Sequence, residues 1–277
     1  MKIINLIEDT KGSADCLYEH GLSFYIETPN HKLLVDTGAS DAFIRNARTL
    51  NIDLSAVDTV FISHGHYDHA GGLLDFLAIN NTAVVYIQES ANGEFYNAST
   101  AGGKYIGMDR LIASNPQVRF MQGDLVIDDE LSIFADVVGR RLWPKTNELL
   151  KRKVVTESGE EKLIQDEFEH EQYLVVEAEG ERLLLSGCAH NGILNILDKY
   201  LDMYDDIPTK VISGFHMTKK EPYTDEDDIV IKATARELSE LDTTFYTGHC
   251  TGAYPLELMQ SIMGEQLKAI HSGEEII

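Results

Sequence analysis

Positive charge is scarce in this sequence. Lys and Arg together number 23 against 46 Asp and Glu, giving a formal charge of −23 at neutral pH. A surface of that sign repels phosphate backbones and anionic lipid, so nucleic acid and membrane surfaces are not expected partners. Cysteine is rare as well. Cys16, Cys188 and Cys250 are the three present, an odd and scattered set unlike a disulfide framework, which points to a reducing compartment. Long apolar runs are missing. No window approaches the roughly 20 apolar residues needed to span a bilayer. The opening MKIINLIEDTKG reaches Glu8 and Asp9 too soon for a secretory leader. These absences predict a cytoplasmic, soluble protein that works on a small molecule; they leave its oligomeric state open.

Apolar residues make up 43% of the 277 positions, enough for a large core, and one domain over residues 1–277 is expected. Short β-branched and apolar runs read as strands at 2–7, 22–27, 32–35, 58–62 and 84–87, with a second set at 173–177, 182–186, 210–213 and 243–247. Helical patterns lie between them. Residues 41–50 follow Ser40 as an N-cap, and 72–80 form another. Residues 191–203 carry a stripe of Ile193, Ile196, Leu197 and Leu201. Residues 225–241 follow Thr224 as N-cap, with acids in the first turn, and 255–270 open with Pro255 at the first helical position. Strand–helix alternation in both halves predicts two sheets covered by outer helices. Residues 90–170 break the alternation with Gly-rich stretches, the single Trp, Arg140 and Arg141, and an acidic run; they read as an insertion able to cover a site.

The chemistry concentrates in Ser63-His64-Gly65-His66-Tyr67-Asp68-His69-Ala70-Gly71-Gly72, directly after the apolar strand DTVFI. Imidazole nitrogen and carboxylate oxygen suit zinc and other divalent metals. On an irregular turn His64 and His66 can point to one side, while Asp68 and His69 reach a second position a few ångströms away. The three glycines are read as freeing the backbone of this turn. A hydrophilic loop with chance histidines is the bland alternative, and four ligand types packed behind a buried strand weigh against it.

Three later strands also end in a small residue followed closely by His: LLLSGCAH at His190, KVISGFH at His216 and TTFYTGH at His249. Groups at like ends of neighbouring strands converge in space. The expected metal ligands are therefore His64, His66, Asp68, His69, His190 and His249, with Asp68 and His216 as catalytic residues. His216 is read as a hydrogen-bond or proton donor to substrate; direct metal ligation and a structural role stay open for it. Asp36, in KLLVDTG, either fixes the tautomer of a ligand His or caps local amides. His20, His31, His170 and His271 are expected at the surface. Lys104, Arg110, Arg140, Arg141 and Lys145 are basic residues that could hold an anion, or are ordinary surface.

SHGHYDHAGG resembles the HxHxDH signature of the metallo-β-lactamase superfamily, and the likeness runs from DTG to the final GH. It implies an αββα sandwich with the metal site at one edge of two sheets. HGHYDHAGGL, SGCAHNGI, SGFHM and TGHCTG together resemble the dihydropterin-ribofuranosylaminobenzene phosphate synthase branch. The resemblance implies that His64 and His66 hold a first metal, Asp68 and His69 a second, and His249 the last ligand position. It also implies a bridging Asp, which this chain lacks; Cys188 stands near its place, and His170 lies where a further ligand His would fall, although His190 is preferred.

The reading is a metal-dependent hydrolase, or a related transferase, acting through a metal-activated water on a small phosphorylated or cyclic metabolite. Zn is the expected metal, with Mn or Fe using the same donors. The rival readings are an iron-dependent oxygen or redox enzyme and a non-catalytic metal-dependent sensor.

Overall fold

The structure is a computed structural model that describes residues 1–12, 15–100 and 102–276. These residues form two seven-stranded sheets and one of four strands. The first large sheet runs, edge to edge, through Glu275–Ile276 (β18), Lys2–Ile7 (β1), Ser23–Glu27 (β2), Lys32–Val35 (β3), Thr59–Phe61 (β4), Val84–Gln88 (β5) and Val118–Met121 (β8). The second runs through Leu267–Ala269 (β17), Thr244–Thr247 (β16), Lys210–Ile212 (β15), Glu181–Leu185 (β14), Tyr173–Ala178 (β13), Leu131–Phe134 (β10) and Leu125–Val126 (β9). Each sheet is half antiparallel and half parallel. β3, β4, β5 and β8 pair in parallel, and so do β14, β15, β16 and β17.

Parallel strands need both faces covered, and the alternation along them supplies two apolar faces. Phe24, Leu33, Val35 and Phe61 of the first sheet meet Leu174, Leu183, Leu185 and Ile212 of the second in a shared inner core. The opposite face of the first sheet, with Leu34, Val60 and Val85, packs under Ala42–Thr49 (α1) and Leu73–Ile79 (α3). The opposite face of the second, with Val175, Leu184, Val211 and Phe245, packs under Ile193–Met203 (α4), Asp225–Ser239 (α5) and Ala253–Met263 (α6). The result is the expected αββα order. A four-residue helix, Tyr67–Ala70 (α2), is the next element after β4, beyond the loop that carries His64 and His66.

The predicted strands fall where the structure has them, within a residue or two. Helices differ more. The inner stripe of α4 is Ile193, Ile196, Leu197 and Tyr200; Leu201, one position round, is 37% exposed. Asp41 stands at the N-cap position of α1 without a side-chain capping bond, and the Ser40 hydroxyl accepts from the Ala42 amide. α5 has the expected Thr224 cap, reinforced by Asp227 in a capping box. α6 starts at Ala253, placing Pro255 third, and ends at Gly264, whose φ of 58° breaks the helix; Leu267–Ala269 is then a strand rather than its last turns.

The segment 90–170 is not one insertion. Its middle, β8 to β10, extends both large sheets, because alternating apolar residues such as Leu131 and Ile133 face the inner core. Only its two flanks leave the sandwich. Phe95–Asn97 (β6), Lys104–Tyr105 (β7), Leu150–Val155 (β11) and Glu161–Gln165 (β12) form the four-stranded sheet, with Phe95, Ile106, Leu150 and Phe168 as its own small core. No helix among the described residues is long and apolar enough to cross a membrane.

Candidate metal centre

The site lies past the C-terminal ends of parallel strands, where their loops converge. β3 delivers Asp36, β4 delivers His64 and His66, β14 delivers Cys188 and His190, β15 delivers His216 and β16 delivers His249. The chain bends sharply at these ends. Asp36, His216 and His249 have φ of 55°, 47° and 48°, in the left-handed region that residues with a Cβ seldom adopt. Backbone held there by its surroundings is a feature of functional sites.

Asp36 is fully buried and accepts three hydrogen bonds. Its Oδ1 takes the Ser63 amide at 2.7 Å; its Oδ2 takes the Ser63 hydroxyl at 2.8 Å and His69 Nδ1 at 2.6 Å. The Ser63 oxygen in turn lies 2.9 Å from His64 Nδ1. One carboxylate therefore holds the proton on Nδ1 of His69 directly and of His64 through a hydroxyl. Both rings are left with a bare Nε2 aimed into the site. His190 reaches the same state differently: its Nδ1 lies 3.0 Å from Asn147 Oδ1, and its ring stacks on Phe168 at 4.5 Å.

The inward atoms crowd together. His64 Nε2 is 3.1 Å from His66 Nδ1, and His69 Nε2 is 3.1 Å from Cys188 Sγ. His64, His66 and His190 form one group whose donor atoms all lie within 4.8 Å; His64, His69 and Cys188 form another, as do Cys188, His190 and His216. Asp68 Oδ2 sits 3.4 Å from His249 Nε2 and 3.8 Å from His69 Nε2. Buried Nε2 atoms of His66, His190 and His249 have no hydrogen-bond partner among the described residues. Each such nitrogen costs about 1–3 kcal/mol unless something binds it, so this donor set fits a divalent metal.

Electrostatics agree for three of the rings but not for His249, which burial would lower and which hydrogen bonds with Asp68 and Asp9 hold well above the ordinary imidazole range. Burial, reinforced by neighbouring imidazoles, holds His64 and His190 well below the ordinary range and brings His66 down to about 3. These rings are neutral, which is the metal-binding form. Burial would raise Asp68, but His69, His249 and His20 pull it well below the carboxylate range. Burial pushes the Cys188 thiol far up. It would do the same to Cys250, where hydrogen bonds with Cys188 and His216 and the charge of His249 pull the thiol well down instead.

The six expected ligands and His216 are thus brought to one place, and Asp36 takes the orienting position. Several expectations change. His170 is buried at 2% exposure, not a surface residue: its Nδ1 accepts the Gly65 amide at 3.1 Å and its Nε2 meets Asp166 at 3.0 Å, so both nitrogens are occupied. Gly71 and Gly72 have ordinary φ of −66° and −85°; they are needed for space, since a Cβ would lie 2.5 Å from the Ala39 carbonyl oxygen and 2.4 Å from that of Ser40. Arg110, Arg140 and Arg141 turn to Glu94, Glu167 and Asp198, and Lys104 covers the Tyr67 ring; only Lys145 lines a cavity near the site, and it is paired with Glu226.

The sequence reading missed Asp9, His20 and Asn147. Asp9 Oδ1 holds His249 Nδ1 at 2.6 Å, and its Oδ2 holds His20 Nδ1 at 2.9 Å. His20 stacks on His249 at 4.8 Å and brings its Nε2 within 3.4 Å of Asp68, although its side chain is 53% exposed. None has a local signal, because the residues they orient, His249 and His190, lie far away along the chain.

Two mixed sheets back to back, outer helices on both, and imidazoles gathered at one edge define the class. The chain belongs to the metallo-β-lactamase superfamily, whose family model matches residues 19–236. Among individual proteins it is similar to 7,8-dihydropterin-6-methyl-4-(β-D-ribofuranosyl)-aminobenzene-5′-phosphate synthase of Methanocaldococcus jannaschii, at 28% identity over all of this chain and 96% of that protein. A crystal structure described as a metal-dependent hydrolase of the β-lactamase superfamily superposes with a TM-score of 0.81 at 28% identity, covering 100% of this chain and 98% of that one. Zn-bound PqqB of Methylobacterium extorquens, at 12% identity and a TM-score of 0.51 over the whole of both chains, shares the fold.

Proposed function

We propose that this chain is an enzyme that holds one or two divalent metal ions, zinc first among them, and hydrolyses or transfers a group on a small phosphorylated or cyclic metabolite. The carrying observation is the pair of buried, partnerless imidazole nitrogens on His66 and His190, on rings that burial keeps neutral as metal ligands must be. His64, His66 and His190 would hold one ion; Asp68, His69 and His249 would hold the other, with Cys188 between them where the family pattern implies a bridging Asp. Such ions acidify water and polarise a substrate oxygen.

The chain's own residues do the rest. Asp36 and Asn147 fix the tautomers of three ligand rings. Asp68, only 8% exposed, is placed to orient water or accept its proton. His216 keeps a buried Nδ1 with no partner among the described residues and is placed to donate to a substrate oxygen. Similarity to the methanogen synthase supports group transfer, and similarity to the metal-dependent hydrolase supports hydrolysis.

The test is metal content by mass spectrometry on protein purified without added metal, together with activity on phosphodiester, lactone and thioester substrates. One or two equivalents, falling sharply in His66→Ala, and turnover of at least one substrate class are expected. Unchanged stoichiometry in that variant, or protein that purifies and reconstitutes without metal, would sink the assignment.

A further inference from the structure

A cavity of about 340 Å³ opens beside the centre. Its volume is in the usual range for small-molecule sites. One wall is the loop from Leu142 to Leu149, which belongs to the flank of segment 90–170. The other is the start of α5, with Val230 and Ile231, and the loop before it, with Tyr223. His216 lies between the cavity and the centre: it lines the cavity, and its ring stands 4.1 Å from that of His190. The Thr146 hydroxyl donates to the His216 carbonyl oxygen at 2.5 Å, tying the covering loop to that divider.

The charge pattern says what the cavity does not hold. Its two lysines are already neutralised, Lys145 by Glu226 and Lys219 by Asp227, and Glu148 and Glu221 add negative charge. A phosphate would find no free cation there. What remains is mainly apolar: Leu142, Pro144, Met217, Val230 and Ile231, beside the ring of Tyr223, which Lys219 and Tyr254 also contact. We infer that this cavity is the subsite for an uncharged, apolar part of the substrate, of the size of one or two rings. The substrate's oxygen-rich reacting part then faces past His216 to the centre. This rests on the proposed metal centre for its orientation only; the cavity and its lining stand without it.

The probes are indole, a neutral double ring, and the pair phenylphosphonate and methylphosphonate, which differ by the ring alone. Binding is followed by saturation-transfer NMR on wild type, Val230→Trp, which fills the cavity, and Tyr223→Ala, which removes its aromatic wall. Indole and phenylphosphonate should bind wild type and compete with each other, with phenylphosphonate about tenfold tighter than methylphosphonate. Val230→Trp should abolish that preference and weaken indole about tenfold, at unchanged metal content. Should Val230→Trp fail to fold, Leu149→Trp blocks the same space from a half-exposed position on the opposite wall. Equal affinity of the two phosphonates for metal-loaded wild type, or indole binding indifferent to both folded variants, would overturn the proposal. Protein without metal that still binds indole in a Val230-dependent way would uphold the cavity and refute the metal reading instead.

Discussion

Nδ1 of His69 and Oδ2 of Asp36 lie 2.6 Å apart with both residues wholly buried, 33 positions apart in the chain. The carboxylate is the common anchor of two imidazoles, and its removal reaches the centre without touching a ligand. Asp36→Asn keeps the shape, and Asn accepts a left-handed backbone. Its NH2 group, however, must face either the Ser63 amide or a ring N–H. Metal affinity, measured by competition with a chromophoric chelator, should fall roughly 10- to 100-fold. Unaltered affinity would show that the tautomers are fixed by something else.

The two buried histidines that compete for a ligand role can be separated. His190→Gln should lose metal, because it removes a partnerless inward nitrogen. His170→Gln should keep it and instead cost about 1–3 kcal/mol of stability by disturbing bonds to Gly65 and Asp166. Metal analysis beside urea unfolding checks both; loss of metal from the His170 variant alone would reverse the assignment.

His66 gives a pH signature in protein stripped of metal. Its folded value of about 3 lies below the ordinary 6.5, so between those values the unfolded chain takes up a proton that the folded chain refuses. Wild type therefore loses stability from this group as pH falls from 6.5, by up to about 1.4 kcal/mol per pH unit. His66→Gln has no such loss. The stability of the variant relative to wild type should rise steadily as pH falls through that window; a flat difference would contradict the buried neutral ring.

Gly187→Ala tests how tightly the halves of the site meet. At φ 52° an alanine is strained, and its Cβ would lie 2.3 Å from the Ser63 oxygen that links Asp36 to His64. A loss of roughly 2–4 kcal/mol is expected, together with weaker metal binding. Thermal unfolding with and without zinc measures both.

His216→Gln should leave metal stoichiometry intact and lower turnover by about 100-fold or more. Loss of one metal equivalent would make the residue a ligand, and full activity would make it structural.

Much of this was legible in the sequence because it is local. A strand such as KLLV announces itself by its own residues, and SHGHYDH carries four donors within one turn. The ends of β14, β15 and β16 could be aligned on their shared small-residue-then-His pattern. What stayed hidden depends on distant partners. Asp166 is only four positions from His170, but nothing local signals that the Gly65 amide draws the ring inside, and nothing near Asn147 announces His190. The acidic run around His170 reads as solvated loop, yet Asp166 and Glu171 are buried as acceptors for Phe168, His190 and Asn191 amides. The end of α6 was misread because Leu267 and Ala269 suit helix and strand alike, and Gly264 decides between them.

Asp9 and His249 hold each other across 240 residues of chain. A ribosome makes the first of them 240 residues before the second. For most of that interval the growing chain carries the SHGHYDH turn without all of its later counterparts. The donors proposed for a metal can therefore gather only once His249 has been made.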